Sequence, residues 1–326
     1  MIYQFLPIYL IVFLSTFLIT AFGEHLLIPY LRGRADQPIY EDGPKWHASK
    51  GATPTMGGLA FLISSAIAFL GCALFFYTKR DYDYALSLII YAFFCIGNST
   101  VGLFDDLTKI RRGRNAGLTP KQKLIFQAII ALAFLFLRAK LSQGSTNIDL
   151  LFAEFNSPFF YYIISIFLIL GIVNCANLTD GIDGLAASVA YAIGISYFLL
   201  SAHKNPICAI LAATLIGASV AFLIFNINPA KIFMGDTGSL LLGALAISCA
   251  FSADRPLSII PMGIIYVIEG FSVILQVAFF KLTKKRILKM APIHHHLEKC
   301  GMTENKICVI AILVTLFCAL IPLIIQ

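Results

Sequence analysis

Charge is what this chain has least of: Asp, Glu, Lys and Arg together make up 13% of it. That is about half the share in an ordinary soluble globular domain, so a soluble fold is excluded at the outset. Cysteine pairs at metal-ligand spacing are absent as well. Most of the eight cysteines fall inside apolar runs, only Cys300 lies clearly in a loop, and no Cys-x-x-Cys occurs. This excludes a zinc framework and reads as packing in a reduced setting rather than disulfide bonding. No repeat of fixed period and no low-complexity linker divides the chain, so residues 1–326 are expected to form a single integral membrane domain. The basic residues are scattered between apolar runs without a recognisable binding module, which argues against a nucleic-acid partner.

What is present is apolar: 59% of residues are hydrophobic and the mean hydropathy is +0.86. Runs of roughly 20 apolar residues are long enough to cross a bilayer. They lie at 5–31, 54–77, 84–104, 122–138, 158–175, 185–202, 206–226, 238–253, 257–280 and 306–325. The expected fold is therefore an all-α, polytopic membrane protein of about ten transmembrane helices. The first run has no small-residue cleavage site after a short apolar core and reads as a retained helix, not a signal peptide.

Loops 32–50, 105–123, 176–184, 227–237 and 281–305, with Lys306, carry 18 of the 24 Lys and Arg residues. The positive-inside rule makes these loops cytoplasmic and turns both termini to the periplasmic side. The net charge of +7 then sits mainly on the cytoplasmic face, where it favours anionic membrane lipid and anionic substrates.

The polar residues in those cytoplasmic loops are not randomly chosen. Asn177-Leu-Thr-Asp-Gly-Ile-Asp-Gly184 lies between two apolar runs. Its glycines, Gly181 among them, let backbone amides approach a ligand, and Asp180 and Asp183 can hold a hard cation such as Mg2+. A polar turn capping two helices would use the same residue types in an expected solvated loop. Company tips the balance toward a site. Asp105 and Asp106 close the third run, followed by Lys109, Arg111, Arg112, Arg114, Lys121 and Lys123; adjacent carboxylates beside cations can bind a metal and a phosphorylated substrate together. On a helix these two neighbours point about 100° apart, so they cannot serve one partner equally.

Further on, Asp236 stands between Gly235 and Gly238, with Asn226 upstream and Phe233 able to stack on a planar ring. Lys50, Thr53 and Thr55 precede the second run, where a helix N-terminus suits a phosphate; a membrane anchor and a helix cap are the plainer reading of the same residues. His294, His295 and His296 project in different directions, a poor arrangement for one zinc ion and a better one for donors to phosphate or sugar. Glu269 and Gln276 are polar at membrane depth and should face protein or a water-filled cleft. Pro256, Pro261, Gly263 and Gly270 are candidates to break or bend the ninth span.

Taken together, Lys50-Gly-Ala-Thr-Pro-Thr-Met-Gly-Gly, Phe104-Asp-Asp, Asn177-Leu-Thr-Asp-Gly-Ile-Asp-Gly, Phe233-Met-Gly-Asp-Thr-Gly-Ser and Ala291-Pro-Ile-His-His-His closely resemble the phospho-N-acetylmuramoyl-pentapeptide-transferase family. That family falls within the polyprenyl-phosphate N-acetylhexosamine-1-phosphate transferases. The five motifs occur in order over nearly the whole chain, and the triple histidine with its Ala-Pro-Ile lead points to the muramoyl-pentapeptide branch.

The resemblance implies a ten-helix enzyme of the bacterial inner membrane with a cytoplasmic active-site cleft. It would transfer phospho-MurNAc-pentapeptide from UDP-MurNAc-pentapeptide to undecaprenyl phosphate, giving lipid I and UMP with Mg2+ as cofactor. Carried over, Asp236 and Asp105 or Asp180 lie at the metal, and Asp106 activates the lipid phosphate or attacks directly. Lys50, Lys121, Asn177 and His295 would contact phosphates, and Phe233, Gly181, Ile182, Asp183 and Asn226 the uridine pocket. Thr55, Gly235, Gln276, His294 and His296 complete the expected substrate contacts. Ala52 and Ile182 depart from the family's usual glycine and leucine. Apolar outer helices are compatible with a homodimer. Two other readings compete: a sister enzyme that loads GlcNAc-1-phosphate onto the same lipid, and a cation-coupled transporter.

Overall fold

The computed structural model describes residues 2–35, 53–112, 117–141, 146–149 and 154–324. Among them, nine helices are long and apolar enough to cross a membrane: α1 (Ile2–Leu31), α2 (Gly58–Thr78), α3 (Tyr82–Arg112), α4 (Pro120–Lys140), α5 (Pro158–Thr179), α7 (Pro206–Asn226), α8 (Gly235–Ser252), α10 (Ile264–Thr283) and α12 (Glu304–Ile324). The tenth expected span is α6 (Leu185–Ser201), apolar but only 17 residues long. At about 1.5 Å per residue it reaches roughly 25 Å, near the lower limit for spanning. The chain is an all-α polytopic membrane protein.

Helix α8 lies at the centre, packed against α2, α3, α5, α6 and α7. Small residues bring it there, because between helices in lipid close van der Waals approach replaces the hydrophobic drive. A Cβ on Gly58 of α2 would stand 2.1 Å from the Gly238 nitrogen, and one on Gly102 of α3 would stand 2.3 Å from the backbone carbonyl oxygen of Asp236. One on Gly243 would stand 2.9 Å from the Ala176 Cβ of α5. Around this core, α1 covers α2 and α7, while α12 covers α6 and α10 covers α5. The outer helices turn large apolar side chains outward, among them Phe22, Phe136, Phe167, Phe271 and Phe317.

Two features differ from the sequence reading, the length of α3 and a short hairpin, while the break in the ninth span is one that Pro256 and Gly263 gave reason to expect. Helix α3 does not stop at Phe104 but runs on to Arg112, so Asp105 and Asp106 occupy a helical turn rather than a loop. Lys109, Arg111 and Arg112 fill its last turn, where cations suit the dipole. The expected ninth span is broken into a 3-10 turn (Pro256–Ser258), a single turn α9 (Ile259–Met262) and α10, divided at Gly263. A short antiparallel hairpin, β1 (Asn147–Asp149) with β2 (Glu154–Asn156), pairs Asn147 with Asn156 and Ile148 with Phe155. It precedes α5, whose first helical residue is Pro158; α4 likewise starts on a proline, Pro120, behind the capping box of Thr119 and Gln122.

The direction of each helix puts one end of the bundle apart from the other. The C-terminal ends of α3, α5 and α7 meet the N-terminal ends of α4, α6, α8 and α12 at one end, where the short helix α11 (Ile293–Lys299) links α10 to α12. Every expected acidic and histidine residue lies at that end.

Candidate active site at one end of the bundle

Asp105, Asp106 and Asp236 each offer a carboxylate oxygen, and the three oxygens lie within 4.8 Å of one another. All three residues are buried. As the helical spacing requires, the two adjacent aspartates face different neighbours. Asp106 caps α8: its Oδ1 accepts from the Asp236 amide at 3.0 Å, and its Oδ2 from the Thr237 amide at 2.9 Å and Thr237 Oγ1 at 2.6 Å. A carboxylate supplied from another helix thus satisfies free amides at a helix N-terminus, where the dipole favours negative charge. Gly235, at φ +68°, makes the approach possible, since a Cβ there would lie 2.6 Å from Asp106 Oδ2.

Asp105 instead accepts from the Leu118 amide through Oδ1 at 2.7 Å, fixing the entry to α4. Its Oδ2 meets two ammonium groups, Lys109 Nζ at 2.7 Å and Lys123 Nζ at 3.1 Å. The same two lysines reach Asp236: Lys109 lies 3.0 Å from Oδ1, and Lys123 pairs with Oδ2. Both lysines belong to the cationic cluster that the sequence places beside Asp105 and Asp106, but neither is among the individual substrate contacts expected there. Lys109 was findable, since it sits four residues after Asp105 on what proves to be one helix. Lys123 becomes a site residue only because α4 folds back onto α3.

Asp180 follows the last residue of α5 and stands beside this group without joining the three-oxygen cluster. Its surface is partly open, yet protein encloses it on the scale over which charge is desolvated. Burial, reinforced by the negative charges of Asp236, Asp106 and Asp183, pushes its carboxyl up to about 8, with Lys109 opposing. Asn177, one turn earlier, donates from Nδ2 to Ser239 Oγ at 2.8 Å, tying α5 to α8.

Asp183 corrects the expectation of a solvated loop, being 3% exposed. Its Oδ2 accepts from Asn228 Nδ2 at 2.9 Å and the Ala230 amide at 3.0 Å, and its amide donates to Glu304 Oε2 at 2.6 Å. The neighbouring Gly184 amide donates to Asn226 Oδ1 at 2.9 Å, while Asn226 Nδ2 donates to the Ile232 carbonyl at 2.8 Å. These bonds hold the 227–234 segment against the 180–184 turn, with Ile182 buried beneath. Phe233 is half-buried; its amide donates to the Pro54 carbonyl and its carbonyl accepts from Gly57, so residues 54–58 run alongside the approach to Asp236. Thr55 is buried in that pairing.

The histidines diverge as expected. His294 Nδ1 lies 2.9 Å from Glu269 Oε2, and its ring packs on Gly181, where a Cβ would be 2.2 Å from Nε2. His295 Nδ1 lies 2.7 Å from Glu298 Oε2, and His296 Nδ1 accepts from the Lys289 amide at 3.1 Å. Gln276 Oε1 accepts from the Leu288 amide at 2.9 Å, anchoring the 284–292 connection. Lys121 is exposed and stands apart from the carboxylates. Lys50, with Ala52, lies outside the described residues.

The family model for glycosyl transferase family 4 matches residues 88–253, from α3 to the end of α8, which is the part that carries the three carboxylates and both lysines. Over nearly the full length, the chain is 42% identical to the phospho-N-acetylmuramoyl-pentapeptide-transferase of Clostridium perfringens, covering 93% of this chain and 92% of that one. It is 41% identical to the Staphylococcus epidermidis protein of the same name, covering 94% and 95%. With the Clostridioides difficile protein the figures are 37% identity and 95% of each chain. At 37–42% identity over more than nine-tenths of the chain, these relatives establish that the chain belongs to the phospho-N-acetylmuramoyl-pentapeptide-transferase family.

Proposed function

We propose that this protein transfers phospho-MurNAc-pentapeptide from UDP-MurNAc-pentapeptide to undecaprenyl phosphate, forming lipid I and UMP at the cytoplasmic face of the bacterial inner membrane, with both termini outward. The observation that carries this reading is the meeting of Asp105, Asp106 and Asp236 with Lys109 and Lys123 at one end of the bundle. Three hard oxygen donors within 4.8 Å fit Mg2+, which takes oxygen ligands. Asp105 and Asp236 would hold it. When bound, Mg2+ offsets the charge of the donor's pyrophosphate and of the departing phosphate.

The reactants are both anionic, so their approach is opposed by repulsion, and the lysines at the site supply positive charge against it. An oxygen of the lipid phosphate attacks the β-phosphorus of the donor. The bond from that phosphorus to the bridging oxygen breaks, and the electron pair leaves with UMP. The lipid phosphate is already largely ionised at neutral pH and needs little help from a base. Asp106 supports this direct route rather than a covalent aspartyl-phosphate, because both its oxygens accept hydrogen bonds from the start of α8. Its contribution is to hold Asp236 and α8 in register with α3.

The test is turnover of the purified protein with UDP-MurNAc-pentapeptide and undecaprenyl phosphate, with and without Mg2+. Release of UMP that requires both substrates and the metal is expected. UMP release with UDP-GlcNAc in place of the muramoyl donor would transfer the assignment to the sister activity. A stoichiometric burst of UMP with labelled protein, in the absence of lipid, would replace direct attack by the covalent route.

A further inference from the structure

The six carboxylate oxygens of the cluster are not equally available. Asp105 Oδ1 is held by the Leu118 amide, and both Asp106 oxygens are held by the α8 N-terminus. That leaves Asp105 Oδ2, Asp236 Oδ1 and Asp236 Oδ2. Those are the oxygens on which Lys109 and Lys123 sit: both ammonium groups on Asp105 Oδ2, Lys109 on Asp236 Oδ1 and Lys123 on Asp236 Oδ2. A carboxylate oxygen that accepts one hydrogen bond keeps a second lone pair, but the oxygens with no backbone partner are the ones a divalent cation meets without competing with the fold, and these are the ones the lysines occupy.

The geometry points to Lys109 and Lys123 as displaceable counter-ions: they close the metal-free site, and metal loading releases at least one ammonium, which then binds the phosphate groups of the donor. This rests on the proposed reading of the site as a divalent-cation site. Three buried carboxylates with no counter-charge would repel one another strongly. Two ammonium groups on flexible stems hold them together, and the same stems let the charge swing away. Lys109 and Lys123 remain 18% and 19% exposed, so each has an open side toward which to move. Loading and substrate capture are coupled as a consequence, because the cation that enters frees the cation that binds the anion.

Binding of Mn2+ to the purified full-length protein, followed by electron paramagnetic resonance, tests this without turnover. Mn2+ is measured alone and then with UDP present. Removing one competing ammonium in Lys123→Gln or Lys109→Gln should tighten Mn2+ binding about tenfold, as expected for a close charge pair. Lys123→Arg, which keeps the charge, and Arg111→Gln, which removes an exposed charge elsewhere, should leave it within about twofold. In the wild type UDP should tighten Mn2+ binding by about fivefold or more, a common size for coupling between sites, and the two glutamine variants should lose most of that gain. Unchanged or weaker Mn2+ binding in both glutamine variants, with wild-type elution on gel filtration, overturns the proposal. Absence of Mn2+ binding to the wild type would instead remove the metal site on which the function was proposed.

Discussion

Asp106 and Asp180 illustrate how far two neighbouring carboxylates can diverge in role. Asp106 accepts three hydrogen bonds from α8. Asp106→Asn keeps the shape but loses the charge at the helix end and turns an acceptor into a donor facing amides. We expect loss of UMP release together with a drop of about 1–3 kcal/mol in stability, read as a lowered unfolding temperature in detergent. Asp180 has a carboxyl raised to about 8 from an ordinary value of 3.8. The folded protein therefore keeps a proton that the unfolded chain has lost between those values, so this group's contribution to stability falls as pH rises from about 4 to about 8. Asp180→Asn removes the titration. Its unfolding temperature should match the wild type near pH 4 and exceed it progressively toward pH 8; a constant offset across that range would contradict the assignment.

Among the elements, α8 is the one whose position everything else requires, and glycines set that position. Gly58 faces Gly238 with no space for a methyl group, whereas Gly71, later on the same helix α2, has no atom within 4 Å of an added Cβ. Gly58→Ala must push α2 away from the turn that carries Asp236. A loss of several kcal/mol, or failure to fold, is expected from backbone overlap of this kind. Gly71→Ala should be neutral or raise stability by up to about 1 kcal/mol from helix propensity. Comparing the unfolding temperatures and yields of the two variants separates packing from propensity. At the opposite end, Arg138 of α4 binds Tyr161 Oη at 2.8 Å, the Phe251 carbonyl at 2.7 Å and Asp254 Oδ1 at 2.9 Å. Helices α4, α5 and α8 are thereby pinned to one another at the end away from the site.

For the molecule as a whole, a divalent cation that binds only the folded arrangement of α3, α4 and α8 should stabilise all of it. Mg2+ at 100 times its dissociation constant is worth about 2.7 kcal/mol, so the unfolding temperature should rise with Mg2+ concentration. Asp236→Asn should abolish the rise; an undiminished rise would place the ion elsewhere.

Much of this arrangement was legible in the order of residues. Sparse charge and long apolar runs determined an all-α membrane protein, because a bilayer interior admits only backbones that satisfy their own hydrogen bonds. The spacing of acids, glycines and histidines between those runs marked the end of the bundle at which they gather, since successive spans alternate in direction. Tertiary structure alone decided that Lys123, and not Lys121, reaches the carboxylates, that Asp106 caps a helix 130 positions away, and that Asp183 is a buried clasp. These facts depend on how closely helices distant in sequence pack and which faces they turn to one another, and helical periodicity within one span carries no information about its partner.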